Sequence, residues 1–250
     1  MWQVGLEKIF KRTKKLGAKM FFRITLIVFA SFVFVYGARP MVTDDADVVD
    51  THSCQLETWG LYDGNYAEYW AVPGCNMFWN LEISMGAMMS NVAVEGTEER
   101  FRTHQFVAGA KKIFGDLESK GYSYGLVLGN AYNFLYSKYR NDHYGYLLFS
   151  TAFFDHTLLF HSNLGYRFKR HQDEPHIYHF GLGLEKQLSK RIWILGEGLY
   201  ERTADMQFQV GLRIWLLQDK IQLDGTYGNA FKGGQSWVSM GLRFLSPELF

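Results

Sequence analysis

The 250-residue chain is short of three things: it has 4 prolines, 2 cysteines and, beyond residue 38, no long apolar run. The last absence excludes a bundle of transmembrane helices, because each such helix needs about 20 consecutive apolar residues. Two cysteines are too few for a disulfide-dense scaffold, and without a CxxC spacing they are too few ligands for a metal site. Neither sign of charge dominates: 26 Lys and Arg stand against 25 Asp and Glu, a formal net charge of +1. With no basic face to neutralise phosphates, nucleic acid is not an expected partner. No glycine-rich nucleotide-binding loop is present, so neither a cofactor nor energy coupling within the chain is expected.

Aromatic residues, at 17%, and glycine, at 25 residues, are plentiful. Both suit strands and tight bends better than helices. The start of the chain reads differently from the rest. Lys8, Lys11, Arg12, Lys14, Lys15, Lys19 and Arg23 precede an apolar run over 24–35, which ends in Tyr36, Gly37 and Ala38. A basic lead, a short apolar stretch and small residues make the pattern of a secretory signal peptide. Residues 1–38 are therefore expected to be a signal peptide cleaved after Gly37 or Ala38, with Met20 an alternative start. An uncleaved anchor is the competing reading.

After Ala38 the apolar residues alternate with polar ones. Leu158, Phe160, Ser162, Leu164, Tyr166 and Phe168 share one face, and His161, Asn163, Gly165, Arg167 and Lys169 the other. Met206, Phe208, Val210, Leu212, Ile214 and Leu216 oppose Gln207, Gln209, Gly211, Arg213 and Trp215. The same period runs through 178–185, 221–227 and 237–244. A period of two means strands, since a helix would space its apolar residues three and four apart. Sandwich strands are usually about five or six residues long. Runs of about ten match a tilted strand crossing a bilayer. Tyr122, Tyr124, Tyr144, Tyr146, Tyr166, Phe168, Tyr178, Tyr200 and Tyr227 cluster near strand ends, as aromatic girdles do. A soluble sandwich with a lipocalin-like pocket shares the alternation but not the export signal.

The expected fold is all-β: an antiparallel transmembrane β-barrel of about twelve strands over 53–250, after a periplasmic N-terminal segment or plug over 39–52. Strands are expected to begin near Gln55, Tyr66, Met77, Phe101, Tyr122, Tyr144, Thr157, His176, Arg191, Met206, Lys220 and Gln235. Tight turns fall at Ser189-Lys190 and Gln218-Asp219, and longer polar loops at 92–100, 170–175 and 229–234. The chain ends in Phe250, an aromatic end like that read by barrel-assembly machinery, although Ser246 and Pro247 interrupt the last strand. Cys54 precedes the first strand and Cys75 sits in an expected turn at 73–76. Both then lie on the oxidising periplasmic side, so a Cys54–Cys75 disulfide is expected.

Arg39-Pro40 followed by Thr43-Asp44-Asp45-Ala46, then Gln55-Leu56-Glu57, Tyr69-Trp70-Ala71-Val72-Pro73 and Asn80-Leu81-Glu82-Ile83-Ser84, resemble a family of outer-membrane barrels labelled as transporters or components of a meta-pathway for phenol degradation. The resemblance covers about the first fifth of the mature chain. It implies a barrel in the outer membrane of a Gram-negative-type bacterium, passing small hydrophobic or aromatic compounds.

By parity, Glu57, Glu82, Glu185, Glu197, Asp224, His161, Arg167, His179, Arg213 and Arg243 face the lumen. Such charges either line a selective path or pair with one another and fill the interior. Thr43, Asp44 and Asp45 are candidates for a plug that pairs with Arg167, Arg213 or Arg243; the alternative is a solvated tail. Calcium binding by Asp44, Asp45 and Asp47 lacks the glycine and terminal glutamate of an EF-hand loop. No catalytic residue is expected. His161 and Ser162 are adjacent on a strand and point to opposite faces, so they cannot act together as base and nucleophile. The expected role is a passive conduit for small solutes, with lipid as the surrounding partner. A plugged or partner-binding barrel and an outer-membrane hydrolase are the competing classes.

Overall fold

The structure is a computed structural model, and it describes residues 41–93, 100–135, 138–170, 172–202, 204–234 and 236–249. The expected signal peptide, most of the loop over 92–100, Gln235 and Phe250 lie outside the described residues.

Twelve strands follow one another around a closed barrel: β1 (Cys54–Tyr62), β2 (Tyr66–Phe78), β3 (Leu81–Ala93), β4 (Arg100–Asp116), β5 (Tyr122–Asn133), β6 (Asn141–Phe153), β7 (Leu158–Lys169), β8 (His176–Ser189), β9 (Ile192–Glu201), β10 (Gln207–Leu217), β11 (Ile221–Ala230) and β12 (Trp237–Leu245). Every pairing is antiparallel between neighbours in sequence, and β1 closes the ring against β12 from Gln55↔Leu245 to Tyr62↔Val238. Closure leaves no strand edge unpaired, as backbone facing hydrocarbon requires.

The alternation sets the two faces of the wall. Along β8, Tyr178, Phe180, Leu182 and Leu184 are exposed on the outside, while Ile177, His179 and Glu185 are buried within. The outward aromatics collect at both rims: Phe114, Tyr122, Tyr124, Phe153 and Phe154 near one, Tyr62, Tyr166, Tyr178, Tyr200 and Tyr227 near the other. The band between them carries side chains such as Leu128, Leu147 and Leu164, each 57% exposed. That is the surface a lipid-facing barrel presents.

Short turns and longer loops alternate between the two ends. The start of β1 and the end of β12 share one end with the turns at 79–80, 154–157, 190–191 and 218–220 and with a one-turn helix, α1 (Leu117–Lys120). Asp116 caps α1 by accepting the backbone N–H of Glu118 and Ser119. Gly121, at φ 73°, ends it in a left-handed conformation that costs glycine nothing.

Two expected strand starts shift. β3 begins at Leu81 rather than near Met77, because β2 runs through the Pro73–Asn76 stretch instead of turning there. The reversal is at Trp79 and Asn80, both at positive φ. Pro73 is tolerated in β2, where it lies opposite Leu56 of β1. β6 begins at Asn141, three residues before Tyr144. Cys75 is thus a strand residue directly opposite Cys54 in the β1–β2 register, and the two form a disulfide.

Candidate functional site

The candidate site is the lumen. Every second residue of each strand points into it, and most of these inward side chains are polar, with Ile113, Leu148, Ile177 and Leu195 among the apolar exceptions. Arg213 of β10 donates from Nε to both carboxylate oxygens of Asp224 on β11, at 3.1 Å each, and also donates to Glu185 of β8. Gln222 adds a donor to Asp224 at 2.9 Å. Across the barrel seam, Arg243 of β12 donates to Gln55 at 2.6 Å and lies 3.9 Å from Glu57, while Gln55 in turn donates to Glu82. Nearer the loop-bearing end, Arg167 donates to the Tyr146 hydroxyl and stands 4.0 Å from Glu201, with the His179 ring edge-on to Tyr146 at 5.9 Å. Glu197 accepts from Gln209, whose carbonyl also accepts from Thr226 and from the Trp237 indole N–H. These networks offset the cost of burying charge, which is severe for any member left without its partner.

The N-terminal segment runs inside this wall, from Met41 beside the middle of β9 to Asp50 at the end where β1 starts. Met41, Thr43, Ala46 and Val49 are buried. The segment forms no strand; the wall's side chains satisfy its backbone. Both carboxylate oxygens of Glu197 accept from it, one from Val42 N–H at 2.8 Å and the other from Thr43 N–H at 2.7 Å. Asn163 makes a reciprocal pair with the backbone of Asp44, at 2.7 and 2.8 Å. Ser150 accepts from Ala46 N–H and Ser123 donates to Ala46 C=O. Asn76 donates to Val49 C=O at 2.7 Å. Ala46 also packs against Ile113 and Leu148. A Cβ on Gly181 would come within 2.6 Å of Thr43 Oγ1, and one on Gly183 within 2.6 Å of Met41 Cε, so the bare backbone at these two positions makes the room.

Among the described residues the ion pairs of this segment's acidic pair are not with Arg167, Arg213 or Arg243, which bond to their own neighbours in the wall; Arg213 and Arg243 act on Asp45 only from further off. The acidic pair meets Lys111 of β4, whose Nζ lies 3.1 Å from Asp44 and 2.9 Å from Asp45. Burial pushes the Asp45 carboxyl pKa up, but Lys111, helped by Arg243, outweighs it and holds the group below its ordinary value. Parity could not have singled out Lys111, because Lys112 follows it and only one of the two can face inward. Ser150, Asn163 and Ser123 gave no signal either: they are ordinary polar residues on lumen-facing positions.

One constellation has the residue types of a hydrolase. Ser150 Oγ lies 2.7 Å from His161 Nδ1 across the β6–β7 register, and His161 Nε2 faces Glu185 at 3.7 Å. A nucleophile must be reachable, yet Ser150 is fully buried and its oxygen already accepts the Ala46 N–H. Here the serine fastens the N-terminal segment to the wall. At the end where β1 starts, a cavity of 620 Å³ opens beside that segment, lined by residues that include Asp50, Asp116, Asp155, His156 and Trp193. Among the described residues no group of three or more His, Cys, Asp or Glu could hold a metal ion.

Solved structures similar to this one include porins. The KdgM porin in complex with disordered oligogalacturonate matches 76% of this chain and 98% of its own at a TM-score of 0.58 and 12% identity. The NanC porin matches 78% of this chain and 100% of its own at a TM-score of 0.55 and 8% identity. At such identities the likeness concerns the fold, a closed antiparallel barrel of outer-membrane porin type. No curated protein matches the sequence. The phenol-degradation likeness of the early motifs finds no counterpart among these relatives. Residues 27–244 match one family throughout, and the chain belongs to it: the family described as Uncharacterised conserved protein UCP029691.

Proposed function

We propose that the protein is a passive outer-membrane conduit for small solutes, hydrophobic and aromatic ones first, whose lumen the N-terminal segment narrows. The observation that carries this reading is the division of the wall into an outward apolar band between two aromatic girdles and an inward face of hydrogen-bonded polar groups. An apolar exterior of this kind is stable in lipid and a liability in water. A polar interior lined by charges of both signs suits neutral solutes better than ions of either sign. The early motifs support aromatic compounds as the class to test first. The cell of origin is then a Gram-negative-type bacterium, with the barrel inserted by its assembly machinery.

The test is single-channel conductance of the purified chain in a planar bilayer, with and without small aromatic solutes. A conduit gives discrete openings that the aromatics interrupt. A barrel that is folded but silent, both in wild-type form and after residues 41–50 are released from the wall, removes the conduit and leaves a structural barrel. The filled middle of the lumen favours that second reading to the extent that the segment never leaves.

A further inference from the structure

At the rim opposite the start of β1 a cleft of 410 Å³ opens between β5, β6 and β7, with Arg140, Arg170, Tyr132, Tyr139, His143 and Phe168 among its lining. Parity puts it on the outside of the barrel. Ala131, Asp142 and Arg167 face the lumen, so Tyr132, His143 and Phe168, each one residue further on, face outward. The floor is aromatic and continues into the apolar band through Tyr166 and Leu164. The upper edge is cationic. Arg170 lies 4.3 Å from the centroid of the Tyr139 ring, and Arg140 donates to the Tyr132 hydroxyl at 2.8 Å. No carboxylate lines the cleft among the described residues. Glu174, in the same loop as Arg170, is directed to Arg202 at 3.9 Å. At the opposite rim the outward cations over aromatic rings are lysines, Lys112 over Phe114 and Lys186 over Phe154. Lysine offers a point charge. Two guanidinium planes held on aromatic rings offer the fork geometry that matches phosphate oxygens.

We propose that this cleft binds the phosphate of a lipid headgroup in the leaflet on the loop-bearing side. The inference rests on the reading that the outward face meets lipid. The guanidinium groups take the phosphate, and the Tyr132 and Phe168 rings lie beside the start of the lipid's apolar part. A free anion would use only the cationic edge and gain nothing from the floor.

The experiment is native mass spectrometry of the full chain released from vesicles containing a phosphorylated glucosamine lipid, or its dephosphorylated form, with and without inorganic phosphate. The wild type is expected to retain the phosphorylated lipid and not the dephosphorylated one. Arg140→Gln with Arg170→Gln lowers retention by about thirty-fold, from two basic contacts at a membrane surface. Arg202→Gln with Lys232→Gln, in exposed loops at the same rim, leaves it unchanged. Equal retention by both double variants overturns the site, as does equal retention of the two lipids. Full competition by millimolar inorganic phosphate overturns the lipid as its source. Heat-modifiable gel mobility and vesicle insertion of the same samples separate the two levels. Insertion without selective retention sinks the site alone, and failure of the wild type to insert sinks the membrane reading with it.

Discussion

Glu197 holds Thr43 by accepting its backbone N–H at 2.7 Å, while the second oxygen of the same carboxylate takes the N–H of Val42. Two consecutive amides of a segment with no strand partner are thereby satisfied by one side chain of the wall. The segment is fastened inside the barrel by donors and acceptors on β9, β7, β6, β5 and β2, so its position depends on several separate contacts.

Glu197→Ala should therefore loosen the segment at one end. Leaving the buried Thr43 amide without an acceptor costs about 1–3 kcal/mol, and the half-exposed Val42 amide adds less. In hydrogen-exchange mass spectrometry the amides of Val42 and Thr43 should exchange at least about ten-fold faster than in the wild type. Unchanged exchange would mean that the segment is held elsewhere.

Lys111→Met should release the segment more fully than Asp45→Asn, because it leaves two carboxylates without their cation and the asparagine change leaves none. The same ion pair has a pH signature. With its carboxyl pKa held below the ordinary value, Asp45 is fully paired above that value, and the pairing is lost as the pH falls through the lowered one. Protection of amides 44–46 should thus be level from pH 7 down to about pH 4 and fall only in stronger acid.

Gly183→Val should displace Met41 by contact alone, since a Cβ there would lie 2.6 Å from its terminal methyl group. Because valine favours strands and no charge changes, the barrel should still show heat-modifiable mobility while bilayer openings become larger or more frequent. Equal conductance in the two proteins would show that the segment does not limit the path.

Ser150→Ala should leave any ester hydrolysis by purified protein unchanged. The serine is buried, and its oxygen is occupied by Ala46 N–H and His161. A Ser150-dependent loss of activity on a short-chain ester would restore the hydrolase reading.

Replacing Cys54 and Cys75 together by serine should lower the unfolding temperature in detergent without preventing closure. A crosslink over a loop of this size stabilises by about 3 kcal/mol through the unfolded chain. The paired strands β1 and β2 remain joined by their backbone ladder.

The elements themselves were readable in residue order. A side-chain period of two is a local property, so the alternation from Leu158 to Lys169 already separated a lipid face from a lumen face. The disulfide followed from compartment and end of the barrel, although the turn was misplaced: Pro73 and Gly74 look like a reversal, yet Pro73 fits within β2 where the chain stays extended. Parity also brought Glu185, Arg213 and Asp224 to one face. It could not pair them, because which strand positions oppose one another depends on register and closure.

By itself the sequence determined that the chain alternates, that its strands are long and even in number, and that acidic residues precede the first of them. Only the tertiary structure decided that the acidic residues meet Lys111 rather than an arginine, that Ser150 meets His161, and that Gly181 and Gly183 leave room for the N-terminal segment. Each of these contacts joins residues on different strands or across the lumen. Their distances are set by how twelve strands stagger and close, and no short-range pattern of residues carries that information.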